Sequence, residues 1–415
     1  MRNKLPLDAI LIKDYGISLS FSLLIALANF FIFKIVAHNF SENEFYLFSY
    51  SRRIISFLIP LFFLGIGVAL PRFIARNDLH VSEQRGLLFV SLIVITVLPV
   101  IAIIVQLLFP HFVEKLLWSE YNHYLKKLSI SIFFFVFSIQ IGALMFSYYR
   151  GLLAVTKAYI VDIMNKAIIP IVLIFIVSDL IDFFFYSALI LLVINLSVFF
   201  LEVRNFRYLK YQVGNLVGYG LRRVPGDISL NLFLLLPGFI CAQLFSIEEA
   251  GIVSFGGTLI NISLILVSPV SFITLSRSVK LLETDKSKLK TEMSYIVLFS
   301  VLYSGILLIL GLFFLDDFIT WYLGPEYIKH LSILKIFILA LPGYIIFTTL
   351  RSIVDAAYKK AYNSVYSFYA ILIFFFIILL SFVTGINLKL VVFSFVISIY
   401  FLAFFVSIKA YKVFK

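Results

Sequence analysis

The chain has 415 residues, of which 62% are hydrophobic and 13% charged, and its mean hydropathy is +1.08. Soluble domains run nearer half apolar and a quarter charged, so apolar surface in this excess faces lipid. The net charge of +12 lies mostly in short loops between apolar runs, which is a membrane-topology signal and excludes a nucleic-acid-binding role.

Residues 1–13 are short and basic. The first apolar run, 15–36, is too long for a signal-peptide core and no small-residue cleavage site follows it, so it is read as a retained span. At roughly 20 apolar residues per crossing, further spans are predicted at 46–70, 87–109, 128–149, 159–177, 183–201, 228–245, 251–275, 295–315, 331–350, 366–384 and 390–408. The expected class is an all-α polytopic membrane protein of about twelve helices.

Charge fixes the expected orientation. With the N-terminus in the cytoplasm, 24 of the 34 Lys and Arg fall in the tails and the even-numbered loops, and five fall in the outer loops. Omitting one span would scramble this alternation. Both termini are therefore expected in the cytoplasm.

The two halves repeat weakly at an offset of 205. Ser41-Glu42-Asn43-Glu44 with Ser49-Tyr50 matches Ser246-Ile247-Glu248-Glu249 with Ser254-Phe255, and Arg72 matches Arg277. Arg150 before Lys157-Ala158-Tyr159 resembles Arg351 before Lys360-Ala361-Tyr362, and Tyr15-Gly16 resembles Tyr219-Gly220. Six spans return the chain to its starting side, so the halves are expected as parallel six-helix lobes, 1–203 and 228–415, around a central cavity, with 204–227 as a cytoplasmic linker.

Five cations remain within or at the ends of spans: Lys34, Arg52, Arg53, Lys166 and Lys335. Such residues face the protein interior or water, or snorkel to an interface. Lys34 and Lys335 lie near outer span ends. Arg52 and Arg53 lie about two turns into the second span and point about 100° apart. Their repeat counterparts are Gly257 and Thr258, so the charge sits in the first half opposite a smooth Gly256-Gly257 surface. Asp162 and Lys166, at i and i+4, read as a structural ion pair. Asn29, Asn231, Gln243 and Asn261, with Gln106, Gln140 and Asn195, are embedded amides that either join helices or line a polar cavity.

No His, Asp, Glu or Cys cluster has metal-ligand spacing, and no Gly-x-x-x-x-Gly-Lys loop offers a phosphate cradle, so neither a metal nor a cofactor is expected. The single cysteine, Cys241, cannot form an internal disulfide. The absence of positioned carboxylates or histidines disfavours an enzyme, including an embedded polymerase or transferase.

Three stretches carry a family resemblance: Leu64-Gly65-Ile66-Gly67-Val68-Ala69-Leu70-Pro71-Arg72-Phe73-Ile74-Ala75, Tyr148-Tyr149-Arg150-Gly151-Leu152, and Tyr219-Gly220-Leu221-Arg222-Arg223-Val224-Pro225-Gly226-Asp227. They resemble the signature stretches of polysaccharide repeat-unit flippases, the Wzx-like branch of the multidrug/oligosaccharidyl-lipid/polysaccharide (MOP) exporter superfamily. The resemblance implies a bacterial cytoplasmic-membrane flippase that carries undecaprenyl-pyrophosphate-linked oligosaccharide between leaflets by alternating access. It implies a cationic cavity, here Lys34, Arg52, Arg53, Arg222 and Arg223, with membrane lipids and other polysaccharide-assembly proteins as partners. The rival readings are a drug or cation antiporter of the same superfamily and an embedded polymerase or transferase.

Overall fold

The computed structural model describes residues 7–75, 80–204, 210–222, 224–264, 267, 278, 281–282, 284–358 and 360–413. Among these residues every regular element is helical. Eight helices are long and apolar enough to cross a membrane, or ten if each bent helix pair counts as one span.

The chain divides into two compact units, Met1–Glu44 with Ile54–Ile228, and Phe45–Arg53 with Ser229–Lys415. The first unit holds α1 (Leu7–Asn39), the second part of α2 (Glu42–Phe63), α3 (Ile66–Ile74), α4 (Val81–Leu108), α5 (Pro110–Trp118) and α6 (His123–Gly151). It continues through α7 (Val155–Ile163), a π-helix (Met164–Ile168), α8 (Ile169–Ile174), α9 (Leu180–Glu202) and α10 (Lys210–Leu221). The second unit holds most of α11 (Val224–Leu244), α12 (Ile247–Ser263), α13 (Lys286–Tyr322), a 3-10 turn (Pro325–His330), α14 (Leu331–Ile338), α15 (Leu341–Ala357), α16 (Tyr362–Thr384) and α17 (Leu388–Tyr411).

Helix starts follow from local chemistry. Ser41 caps α2 and forms a reciprocal capping box with Glu44. Ser246 caps α12 by accepting from the Glu249 N–H at 3.2 Å. Asn122, Asp179, Asp285 and Asn387 cap α6, α9, α13 and α17 in the same way. Each cap satisfies N–H groups that hydrocarbon would leave unpaired.

α6 is the central helix of the first unit and is buried over most of its surface. Ser129, Ser131, Ser138, Gly142 and Ser147 on its buried face let neighbouring backbones approach closely. α13 is the opposite case, with long stretches of exposed Ile, Leu, Val and Phe.

Three predicted spans differ from straight helices. The segment 46–70 breaks at Leu64-Gly65 into α2 and α3, bent by 47°, because both residues take left-handed backbone angles (φ 51° and 70°). The segment 331–350 breaks between α14 and α15 with a 42° bend. The segment 159–177 is interrupted by the π-helix, and the second half of 251–275 lies outside the described residues except for Val267. Within the expected linker 204–227, residues Lys210–Leu221 form α10, which packs on α3 and α4.

Candidate substrate site

Span two carries its embedded charge in the part that belongs to the second unit, Phe45–Arg53. There it packs along α12, and glycines set the approach. A Cβ at Gly251 would lie 2.4 Å from the Tyr46 Cα, so only hydrogen fits where the two helices cross. One at Gly238 of α11 would meet the Ser254 Oγ at 2.5 Å, one at Gly256 the Phe337 ring at 2.5 Å, and one at Gly257 the Arg53 Nη2 at 2.7 Å. The smooth Gly256-Gly257 surface receives an aromatic ring and a guanidinium.

Arg53 is 5% exposed. Its Nε donates to the Ser254 carbonyl oxygen at 3.2 Å and its Nη2 to the Thr258 Oγ1 at 3.3 Å. Tyr344 of α15 lies within electrostatic reach. Among the described residues no carboxylate pairs with this guanidinium. Two of its five N–H groups are therefore held by α12.

Arg53 and Thr258 are separated by the repeat offset of 205, and so are Tyr46 and Gly251. Both contacts hold α2 against α12 within the second unit. The contact is asymmetric in charge, because an arginine on α2 meets a threonine on α12.

The other predicted site residues are distributed as follows. Arg52 and Lys34 are half-buried and each engages a neighbour. Asn29, half-buried on α1, donates to the Ile25 carbonyl oxygen at 2.7 Å, and Asn231 and Gln243 on α11 are half-buried and engaged. Asn261 is exposed on α12, Arg222 is exposed just after α10, and Arg223 lies outside the described residues. The Lys166 Nζ stands 2.7 Å from the Asp162 Oδ1, across the junction of α7 and the π-helix.

In the first unit the three stretches that carry the resemblance meet. α3 packs between the end of α6 and α10. A Cβ at Gly65 would lie 2.3 Å from the Gly220 carbonyl oxygen, and one at Gly151 would lie 2.8 Å from the Ile74 Cβ. The Arg72 Nη1 donates to the Tyr219 hydroxyl at 2.6 Å, with its guanidinium 4.6 Å from the ring centre. Around this packing, Tyr149 donates to Glu202 at 3.0 Å and Arg85 to the Arg204 carbonyl oxygen at 2.8 Å.

Sequence reading did not single out Asn165. It sits in the π-helix, donates to the Val161 carbonyl oxygen at 2.6 Å, and exchanges hydrogen bonds with Asn195 of α9 at 2.7 and 3.2 Å. Asn195 also donates to the Ser138 carbonyl oxygen at 3.1 Å, and Gly142 leaves room for the Asn165 amide. The signal was the flanking Met164-Asn165-Lys166 inside an apolar run.

No family model matches the chain, and no curated protein matches it. Solved structures do. An inward-facing multidrug resistance MATE family transporter of the MOP superfamily superposes with a TM-score of 0.76 at 14% identity, covering 96% of this chain and 98% of that one. The chain has the same all-helical polytopic fold. The lipid II flippase MurJ, in an inward closed conformation, superposes with a TM-score of 0.74 at 13% identity over 97% of this chain and 89% of that one. The MATE multidrug transporter DinF-BH gives 0.71 at 14% identity, covering 99% and 98%. The all-helical polytopic architecture is common to all three.

Proposed function

We propose that this protein is a flippase of the MOP superfamily, in its polysaccharide repeat-unit branch. It moves undecaprenyl-pyrophosphate-linked oligosaccharide from the inner to the outer leaflet of a bacterial cytoplasmic membrane, and it is not an enzyme. Lobes 1–203 and 228–415, joined through 204–227, open alternately to each side, with both termini in the cytoplasm. Other polysaccharide-assembly proteins supply and consume the lipid-linked sugar.

The observation that carries this reading is Arg53. A cation at mid-membrane costs about 2.5–3.5 kcal/mol even on the lenient insertion scale. Here it is kept without a carboxylate partner among the described residues, on the face where α2 meets α12. Its free N–H groups match phosphate oxygens in geometry and charge. Reaching them requires α2 and α12 to part, a motion that alternating access supplies. Lys34 and Arg52 add charge, and Arg222 and Arg223 add it at the cytoplasmic mouth. Asn29, Asn231, Gln243 and Asn261 are the candidates for contacts to sugar hydroxyls.

A drug or cation antiporter is the second reading, favoured by the likeness to two multidrug transporters. It would place a free carboxylate in the spans, whereas Asp162 is neutralised by Lys166. The test is the leaflet distribution of lipid-linked oligosaccharide in cells that carry the unaltered protein, Arg53→Ala, or no copy, at matched expression. Accumulation on the cytoplasmic side in the last two supports the flippase. An unchanged distribution with increased drug sensitivity in the cells without a copy transfers the assignment to the antiporter.

A further inference from the structure

After the first three predicted crossings the chain forms α5, a nine-residue helix between α4 and α6. Phe112 and Leu116 point outward, 65% and 49% exposed, while Val113, Glu114 and Trp118 are buried. Trp118 is anchored by its Nε1 donating to the Ser129 Oγ at 2.8 Å. A carboxyl side chain on the buried side of a short amphipathic helix needs a physical reason.

Glu114 and Gln106 of α4 are both fully buried. The Gln106 Nε2 donates to the Glu114 Oε1 at 3.0 Å. The two atoms left over, Glu114 Oε2 and Gln106 Oε1, are buried acceptors without a donor. As a carboxylate, Glu114 would hold a buried charge with one hydrogen bond and set an oxygen lone pair against an amide oxygen. A single proton removes both faults, because one O–H group on Oε2 serves both orphaned oxygens.

We propose that the Glu114–Gln106 pair is a proton-binding latch, in which protonated Oε2 of Glu114 donates to Oε1 of Gln106 and the resulting acid–amide ring holds α5 against α4. The proton comes from, and returns to, the solution on the side of the membrane opposite the N-terminus. The titratable and charged groups facing Glu114 are His111 of α5 and Lys126 of α6. Among the described residues neither forms an ion pair with it. Burial raises the Glu114 pKa above its ordinary value, and the Gln106 hydrogen bond, Lys126 and His111 only partly oppose it.

The sign of the linkage follows. An acid held protonated in the fold contributes fully below its unfolded pKa. That contribution is lost as pH rises from the unfolded to the folded pKa. Glu114→Gln places an amide N–H where the acid O–H stood, so it retains the ring and removes the titration.

The experiment is an infrared pH titration of the full-length protein in lipid nanodiscs, unaltered against Glu114→Gln, with melting temperatures measured on the same samples. The expected result is a protonated-carboxyl band present in the unaltered protein, absent in Glu114→Gln, with a midpoint above that of free glutamate, about 4.3. Melting of the unaltered protein should fall relative to Glu114→Gln as pH rises through that midpoint. A difference band that titrates at or below the free-glutamate range, or no band at all, overturns the latch. So does a melting temperature of the unaltered protein that rises relative to Glu114→Gln over the same window.

Discussion

At the scale of single residues, the tests separate charge from packing. Arg53→Met removes the guanidinium and keeps an apolar side chain in the slot beside Gly257. Its acceptors are not stranded, because the Ser254 carbonyl oxygen also takes the Thr258 hydroxyl at 3.2 Å. Removing a buried charge that has no carboxylate partner also removes its desolvation cost. Arg53→Met is therefore expected to melt at or above the unaltered temperature while leaflet transfer is lost. A loss of both together would make Arg53 a packing residue. Arg53→Lys keeps the charge but cannot reach the Ser254 oxygen and the Thr258 hydroxyl from one planar fork, so reduced rather than abolished transfer is expected. The Asn165–Asn195 pair is a different kind of residue-scale question. A double-mutant cycle with Leu at each position is expected to give a coupling of about 0.6 kcal/mol and at most about 1.7, read from unfolding in mixed micelles. Arg53 was legible in the sequence, because a charge in an apolar run is conspicuous. The pairing of Asn165 was not, because its partner Asn195 is 30 residues away and only helix packing brings the two amides together.

At the scale of elements, the bend in span two dominates. Leu64 and Gly65 both carry positive φ, and the Gly65 backbone stands against the Gly220 backbone. Gly65→Ala adds a Cβ 2.3 Å from a carbonyl oxygen in a left-handed conformation, so it is expected to lower the melting temperature or abolish folding. Gly305→Ala on α13 is the matched control. Nothing lies within 4 Å of its added Cβ, and gain of helix propensity is expected to stabilise by about 0.5–1 kcal/mol. The periodic apolar runs located these helices, but their interruptions came from elsewhere. The sequence around Gly65 reads as one continuous span, since glycine is common in membrane helices. The break becomes visible only when the facing Gly220 carbonyl is in place. α13 shows the converse. Its 37 residues extend about 55 Å, well beyond a hydrocarbon core of about 30 Å, so Lys286, Lys288 and Lys290 ride on a helical extension where the sequence suggested a loop.

At the scale of the whole molecule, sidedness is the quantity to measure. With Cys241, which is buried, replaced by alanine, single cysteines at Arg150 and Lys329 should react with a membrane-impermeant maleimide from opposite sides of sealed vesicles. Labelling of both from one side would refute the charge-based topology. The helical state of the apolar segments and the unequal distribution of 24 and five cations were fixed by composition and order along the chain, because hydrocarbon excludes unpaired backbone groups and charges whatever the tertiary contacts. Two helix starts were also readable, at the capping serines Ser41 and Ser246. What the order of residues could not decide was which polar groups meet. Arg53 finds Thr258 at 205 residues' distance, Gly65 finds Gly220, and the Glu114 carboxyl finds Gln106 across a turn. Those pairings depend on helix rotation and on where a missing Cβ permits close approach, and both are properties of packing in three dimensions.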